Sequence, residues 1–84
     1  MNKAFLLEIV TPEKQLYGGS VEQIICCTEG GKIGILKGHA PMIATLAEGK
    51  IELKEADGWK TIAIHEGFME VTDDGVVIFT QNAE

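Results

Sequence analysis

The sequence predicts an all-β fold: an antiparallel β-sandwich or flattened barrel of about ten short strands in two sheets. Three observations predict it. Apolar residues recur with a period of two along nearly the whole chain, and no stretch holds a helical period long enough to define a helix. Glycine is frequent, with 10 among 84 residues, and it falls between the alternating segments, where tight turns need it. Those segments are short and closely spaced, too short to alternate with helices. A chain of this length has room for one core, so residues 1–84 are taken as a single domain.

The first strand runs from Ala4 to Thr11, with Phe5, Leu7 and Ile9 on one face and Leu6, Glu8 and Val10 on the other. Pro12 ends it, because proline fixes its own φ and pushes its predecessor to extended geometry. A brief strand through Leu16 and Tyr17 is expected to stop at Gly18-Gly19. Val21 to Thr28 follows, but its parity slips between Val21 and Ile24, which suggests a β-bulge at Glu22-Gln23. Beyond the slip, Ile24 and Cys26 share one face and Ile25 and Cys27 the other. Glu29-Gly30-Gly31 turns the chain into Lys32 to Leu36, and 37–42 is an ordered loop.

Four further strands are joined by hairpin signals. Ile43 to Ala47 turns at Glu48-Gly49 into Lys50 to Glu55, and Ala56-Asp57-Gly58 leads to Trp59 to His65. Glu66-Gly67 opens Phe68 to Thr72, and Asp73-Asp74-Gly75 returns the chain through Val76 to Thr80.

A strand covered on one face alternates cleanly between apolar and polar. Several here do not: Leu6 and Val10, Ile25 and Cys27, Phe68, and the run Val76-Val77-Ile78-Phe79 put apolar groups on both faces. Either loops cover both faces locally, or the sandwich carries a second apolar patch outside, as protein-binding surfaces do.

Composition and motifs narrow the function classes. The net charge is −6, and the seven lysines are scattered singly among 13 acids with no arginine. Nucleic acid and anionic membrane surfaces both need clustered cations, so neither is an expected partner. No segment approaches the roughly 20 apolar residues of a membrane-spanning helix, and the start lacks the pattern of a secretory signal. Direct membrane insertion is not expected.

Cys26 and Cys27 are neighbours on a strand, point to opposite faces, and so do not form an ordinary disulfide together. Two adjacent cysteines and two distant histidines, His39 and His65, give no zinc spacing. Nucleophilic catalysis would need one of those thiols beside a histidine, and nothing in the spacing brings them together. Asp73-Asp74 is a turn-forming pair, and Gly30-Gly31-Lys32-Ile33-Gly34 opens no helix and is no phosphate loop. No metal, cofactor or catalytic residue is expected. The segment Lys37-Gly38-His39-Ala40-Pro41-Met42 is either a rigid connection closed by His39 or a binding loop on a rigid scaffold.

One resemblance covers essentially the whole chain. Gly34-Ile35-Leu36-Lys37-Gly38-His39-Ala40-Pro41-Met42-Ile43, followed by Leu46 and Gly49, resembles the G-x-[LI]-P-x-H-A-P segment of the epsilon subunits of F-type ATP synthases. The flanks Ile9-Val10-Thr11-Pro12-Glu13, Leu16-Tyr17-Gly18-Gly19-Ser20-Val21-Glu22 and Gly67-Phe68-Met69-Glu70-Val71 agree in order. The resemblance implies a ten-stranded β-sandwich in the rotor stalk, without catalytic activity, that binds the gamma subunit and rests on the ring of c subunits. It implies that His39, Ala40, Pro41, Met42 and Ile43, with Thr11, lie toward gamma. It further implies that Thr28, Glu29, Gly30, Gly31 and Lys32 face the c ring, and that the alpha/beta hexamer is met only indirectly. Such a subunit lies on the cytoplasmic face of the bacterial inner membrane.

The sequence departs from the family at Lys37, where proline is usual, and at Lys32, where an acid is common. The family also continues after Phe79 into an inhibitory helical hairpin. This stretch ends at Gln81-Asn82-Ala83-Glu84, either as a naturally short form or as one cut at the domain boundary, and as it stands is expected to lack hairpin inhibition and nucleotide sensing. A small adaptor unrelated to rotary motors is the competing expectation.

Overall fold

A computed structural model describes residues 2–81. The strands are β1 (Phe5–Val10), β2 (Gln15–Val21), β3 (Gln23–Thr28), β4 (Gly31–Leu36), β5 (Met42–Leu46), β6 (Gly49–Glu55), β7 (Gly58–Ile64), β8 (Gly67–Thr72) and β9 (Gly75–Thr80). They form two sheets, one of order β2-β1-β9-β8-β5 and the other of order β4-β3-β6-β7. The architecture is the β-sandwich that the two-residue period predicts.

Alternation decides which side chains form the core. Leu7 and Ile9 of β1, Met69 and Val71 of β8, and Val76 and Ile78 of β9 point inward from the five-stranded sheet. Ile24 and Cys26 of β3, Ile35 of β4, Ile51 and Leu53 of β6, and Ile64 of β7 meet them from the four-stranded sheet. All are buried. Each aliphatic side chain so removed from water contributes about 1.5–3 kcal/mol relative to exposure, before the cost of ordering it.

Three features differ from the expectation. β2 continues through Gly18 and Gly19 to Val21, because β1 supplies its ladder: Glu8 pairs with Gly18 and Leu7 with Gly19. The parity slip at Glu22 is not a bulge. Val21 ends a strand of one sheet and Gln23 begins a strand of the other, so the chain changes sheets there, and the Glu22 amide donates to the Lys54 carbonyl at 2.7 Å. The register irregularity lies instead between Ile9 and Val10 of β1, where the partner skips from Tyr17 to Gln15. Finally, β1 and β9 pair in parallel, with Leu7 opposite Val76 and Val10 opposite Phe79, while the other pairs are antiparallel. The first and last strands therefore lie side by side at the middle of the five-stranded sheet.

Register also sorts the connections between two ends of the sandwich. Leu46 pairs with Gly67, Gly67 with Thr80, and Val10 with Phe79, and the Ala47 amide donates to the Cys27 carbonyl at 2.9 Å. The turns 11–14 and 29–30 and the links 47–48 and 65–66 thus share one end. The Glu22 corner, the loop 37–41 and the turn 73–74 share the other.

Candidate protein-binding face

The outward positions of the five-stranded sheet form an apolar surface. Leu6 is 58% exposed, Phe68 47% and Ile43 73%, so no loop covers this face. Val10, Val77 and Phe79 are half-buried between them. Cross-strand pairing sets Val10, Phe79, Phe68 and Thr45 in one row and Glu8, Val77, Glu70 and Ile43 in the next. The rings of Phe68 and Phe79 stack with centroids 4.9 Å apart and planes 23° from parallel. At its lower edge, Val10, Pro12, Phe68 and Phe79 line a groove of about 450 Å³. Of the two readings of the doubled apolar pattern, an outer patch holds for this sheet. On the other sheet Ile25 and Cys27 are half-buried among Lys32, Lys50 and Glu52, and the Cys27 thiol packs against Gly49.

The residues that the resemblance places toward gamma do not all lie together. Ile43 stands on the outer face, on the edge strand β5. Met42, one position earlier, turns inward and packs on the core. His39, Ala40 and Pro41 form the loop just before it. Gly38 holds φ at 86°, the left-handed conformation that glycine adopts at little cost, and the His39 amide donates to the Leu36 carbonyl at 3.1 Å to close the turn. Histidine Nδ1 lies 2.7 Å from the carbonyl oxygen of Ala40. A carbonyl only accepts, so Nδ1 carries the proton in this contact, and Nε2 is not engaged by it. Loop closure by His39 and a binding role for its other nitrogen are therefore compatible.

Thr11 sits at the opposite end of the sheet. Its hydroxyl donates to the Lys14 carbonyl at 3.1 Å and accepts from the amides of Glu13 and Lys14 at 3.3 and 3.2 Å. Those bonds build the β1–β2 turn, so Thr11 flanks the face as a turn former.

The turn expected toward the c ring lies at the same end as Thr11. The Thr28 hydroxyl donates to the Gly31 carbonyl at 2.7 Å and accepts from the Gly30 amide at 3.2 Å. Glu29, Gly30, Gly31 and Lys32 project into solvent around it.

The titratable groups among the described residues are spread over both sheets. Burial pushes the Cys26 thiol up to about 12, so it stays protonated and inert at neutral pH. Tyr17, on β2, donates to the Glu55 carboxylate on the opposite sheet, and Lys60 pairs with the same carboxylate at 2.9 Å. Among the described residues no three His, Cys, Asp or Glu side chains converge as a metal site would require. Sequence reasoning missed Thr45, Pro12, Glu8 and Glu70 as members of the face. Outward parity marked Glu8 and Glu70, but their place beside Val77 depends on sheet order.

Residues 4–84 match the family model described as the ATP synthase, Delta/Epsilon chain, beta-sandwich domain. An ATP synthase epsilon chain of Caldanaerobacter subterraneus subsp. tengcongensis is 46% identical over 85 residues, covering 100% of this chain and 62% of the relative. One of Priestia megaterium is 39% identical over 82 residues, covering 98% and 61%. The chain thus spans about three fifths of the length of these relatives. A chain of the Euglena gracilis mitochondrial ATP synthase superposes with a TM-score of 0.90 at 28% identity, covering 100% of this chain and 54% of that one. A Tetrahymena thermophila ATP synthase chain, at TM-score 0.80 and 15% identity over 95% of this chain and 65% of its own, shares the fold. An apolar sheet face, the G-H-A-P loop beside it and these matches converge: the chain belongs to the ATP synthase delta/epsilon family.

Proposed function

We propose that this chain is a non-catalytic subunit of the central rotor stalk of an F-type ATP synthase. It binds the gamma subunit through the outer face of the five-stranded sheet, from Phe68 and Phe79 to Ile43 and the His39-Ala40-Pro41 loop. Met42 anchors that loop to the core, and Thr11 holds the turn at the far margin of the face. The Thr28–Lys32 turn, at one end of the sandwich, rests on the ring of c subunits. Held between the two, a stiff β-sandwich passes torque from the ring to the stalk and couples ion-driven rotation to ATP synthesis. The alpha/beta hexamer is reached only through gamma. Residues 1–84 act as one domain, on the cytoplasmic face of a bacterial inner membrane.

The observation that carries this reading is the Phe68–Phe79 stack, with Phe68 exposed and Phe79 half-buried, on an uncovered sheet face. Aromatic groups left partly in water on an apolar patch are typical anchors of a protein interface. The family membership names the assembly in which such a partner is found. Purified gamma subunit from the same organism, mixed with this chain, is expected to give saturable one-to-one binding. A folded chain that fails to bind gamma would contradict the proposal and return the adaptor reading to first place.

A further inference from the structure

The outer face of the five-stranded sheet is not uniformly apolar: two carboxylates stand inside it. Glu8 of β1 and Glu70 of β8 both pair with Val77 of β9, one from each side. Strands lie about 4.8 Å apart, so the two glutamates are rooted about 10 Å from each other across the sheet. On the outer side of Glu8 the paired residue is Gly18, and the Gln15 side chain lies over that glycine and reaches the Glu8 carboxylate. Phe79 and Phe68 lie in the neighbouring row and Ile43 continues the same row.

Among the described residues no lysine or histidine forms an ion pair with either of them. Lys32, Lys50 and Lys54 belong to strands of the four-stranded sheet, Lys54 pairing with Glu22 and Lys60 with Glu55. Lys3 precedes β1, and Lys14 and Lys37 are in connections at opposite ends. Glu8 accepts one hydrogen bond, from Gln15 Nε2 at 2.9 Å, and Glu70 has no ion-pair partner among the described residues. In the free chain Glu8 is open to solvent and Glu70 partly so.

A partner that covers the phenylalanines removes that water. A carboxylate buried without a counter-charge is strongly unfavourable, so a purely apolar partner does not fit. Nor does a second copy: a two-fold interface sets the same patch against itself, and among the described residues the outward positions of this sheet carry carboxylates and no lysine. We infer that the partner of this face presents an apolar surface bearing two cationic side chains about 10 Å apart, which pair with Glu8 and Glu70 and fix the docking register. The inference rests on the rotor-subunit reading, and the partner is then the gamma subunit.

The test is a titration of purified gamma with the wild-type chain and with Glu8→Gln, Glu70→Gln and the double variant, each at low and high salt. Glu70→Lys adds a charge reversal. Glu8 is exposed and Glu70 half-buried, and neither forms an ion pair among the described residues, so all variants should keep the wild-type melting temperature within a few degrees. Each neutral substitution is expected to weaken binding about tenfold or more, and Glu70→Lys more than Glu70→Gln. The double variant should also lose most of the salt dependence of the wild type. Binding by the double variant that matches wild type in affinity and salt slope overturns the inference and leaves the rotor reading standing. A folded wild-type chain that does not bind gamma overturns both. A chain that dimerises in solution through this face, with the dimer lost in Phe68→Ser, overturns the exclusion of a second copy.

Discussion

At the scale of single residues, the titratable groups divide by what surrounds them. Cys26 points into the core, where desolvation holds its thiol near 12, while its neighbour Cys27 is half-buried on the other face. Alkylation of the folded protein at neutral pH should therefore leave Cys26 unmodified, and mass mapping after unfolding should recover it as free thiol. Rapid modification of Cys26 in the native state would revive a thiol-dependent activity. Tyr17 makes a different prediction. Burial, and then the hydrogen bond to Glu55, raise its phenol from 10.0 to about 12. The folded state favours the protonated phenol, so its contribution is complete below about pH 10 and is lost as pH rises through 12. Thermal melts between pH 10 and 12 should thus fall more steeply for wild type than for Tyr17→Phe. Parallel curves would show that the inter-sheet bond contributes nothing. At this scale the sequence was largely legible: the parity of Ile24, Ile25, Cys26 and Cys27 gave their faces correctly. It could not show that Tyr17 and Glu55 meet, because that contact spans the two sheets.

At the scale of elements, turns carry the pattern. Thr11, Thr28 and Thr72 each head a turn, and in each the hydroxyl takes up backbone groups two or three residues on. Such a hydroxyl substitutes for ladder bonds that end there, which is why these turns were readable from local chemistry. Gly67 opens β8 for a packing reason instead. A Cβ at that position would overlap the carbonyl oxygen of Phe79 on the paired strand. Gly67→Ala must push β9 away and should lower stability by about 2 kcal/mol or more. In a domain of this size that is a fall in melting temperature of roughly 8 °C or more. A melting temperature unchanged by Gly67→Ala would mean that the β8–β9 spacing is not fixed there. The change of sheet at Glu22 and the parallel β1–β9 pair were not legible. Both depend on which strands become neighbours, and residues far apart in sequence leave no local mark of that choice.

For the whole molecule, the sandwich has two unlike outer faces and two unlike ends. The five-stranded sheet shows phenylalanines, aliphatic groups and two carboxylates, whereas Lys32, Lys50 and Lys54 belong to the four-stranded sheet. The His39 loop and the Thr28–Lys32 turn lie at opposite ends, far enough apart to meet different partners at once. The resemblance placed Thr11 with His39, and the register separates them, because a strand runs the length of the sheet between them. The central claim is that gamma covers the Phe68–Phe79 face. It is tested most directly by the affinity of purified gamma for Phe68→Ser, measured beside its melting temperature. Phe68 is half exposed, so the fold should survive with a shift of a few degrees. Affinity is expected to fall at least about tenfold, as for an aromatic anchor. Wild-type affinity in the folded variant would contradict it and move the gamma interface off this sheet.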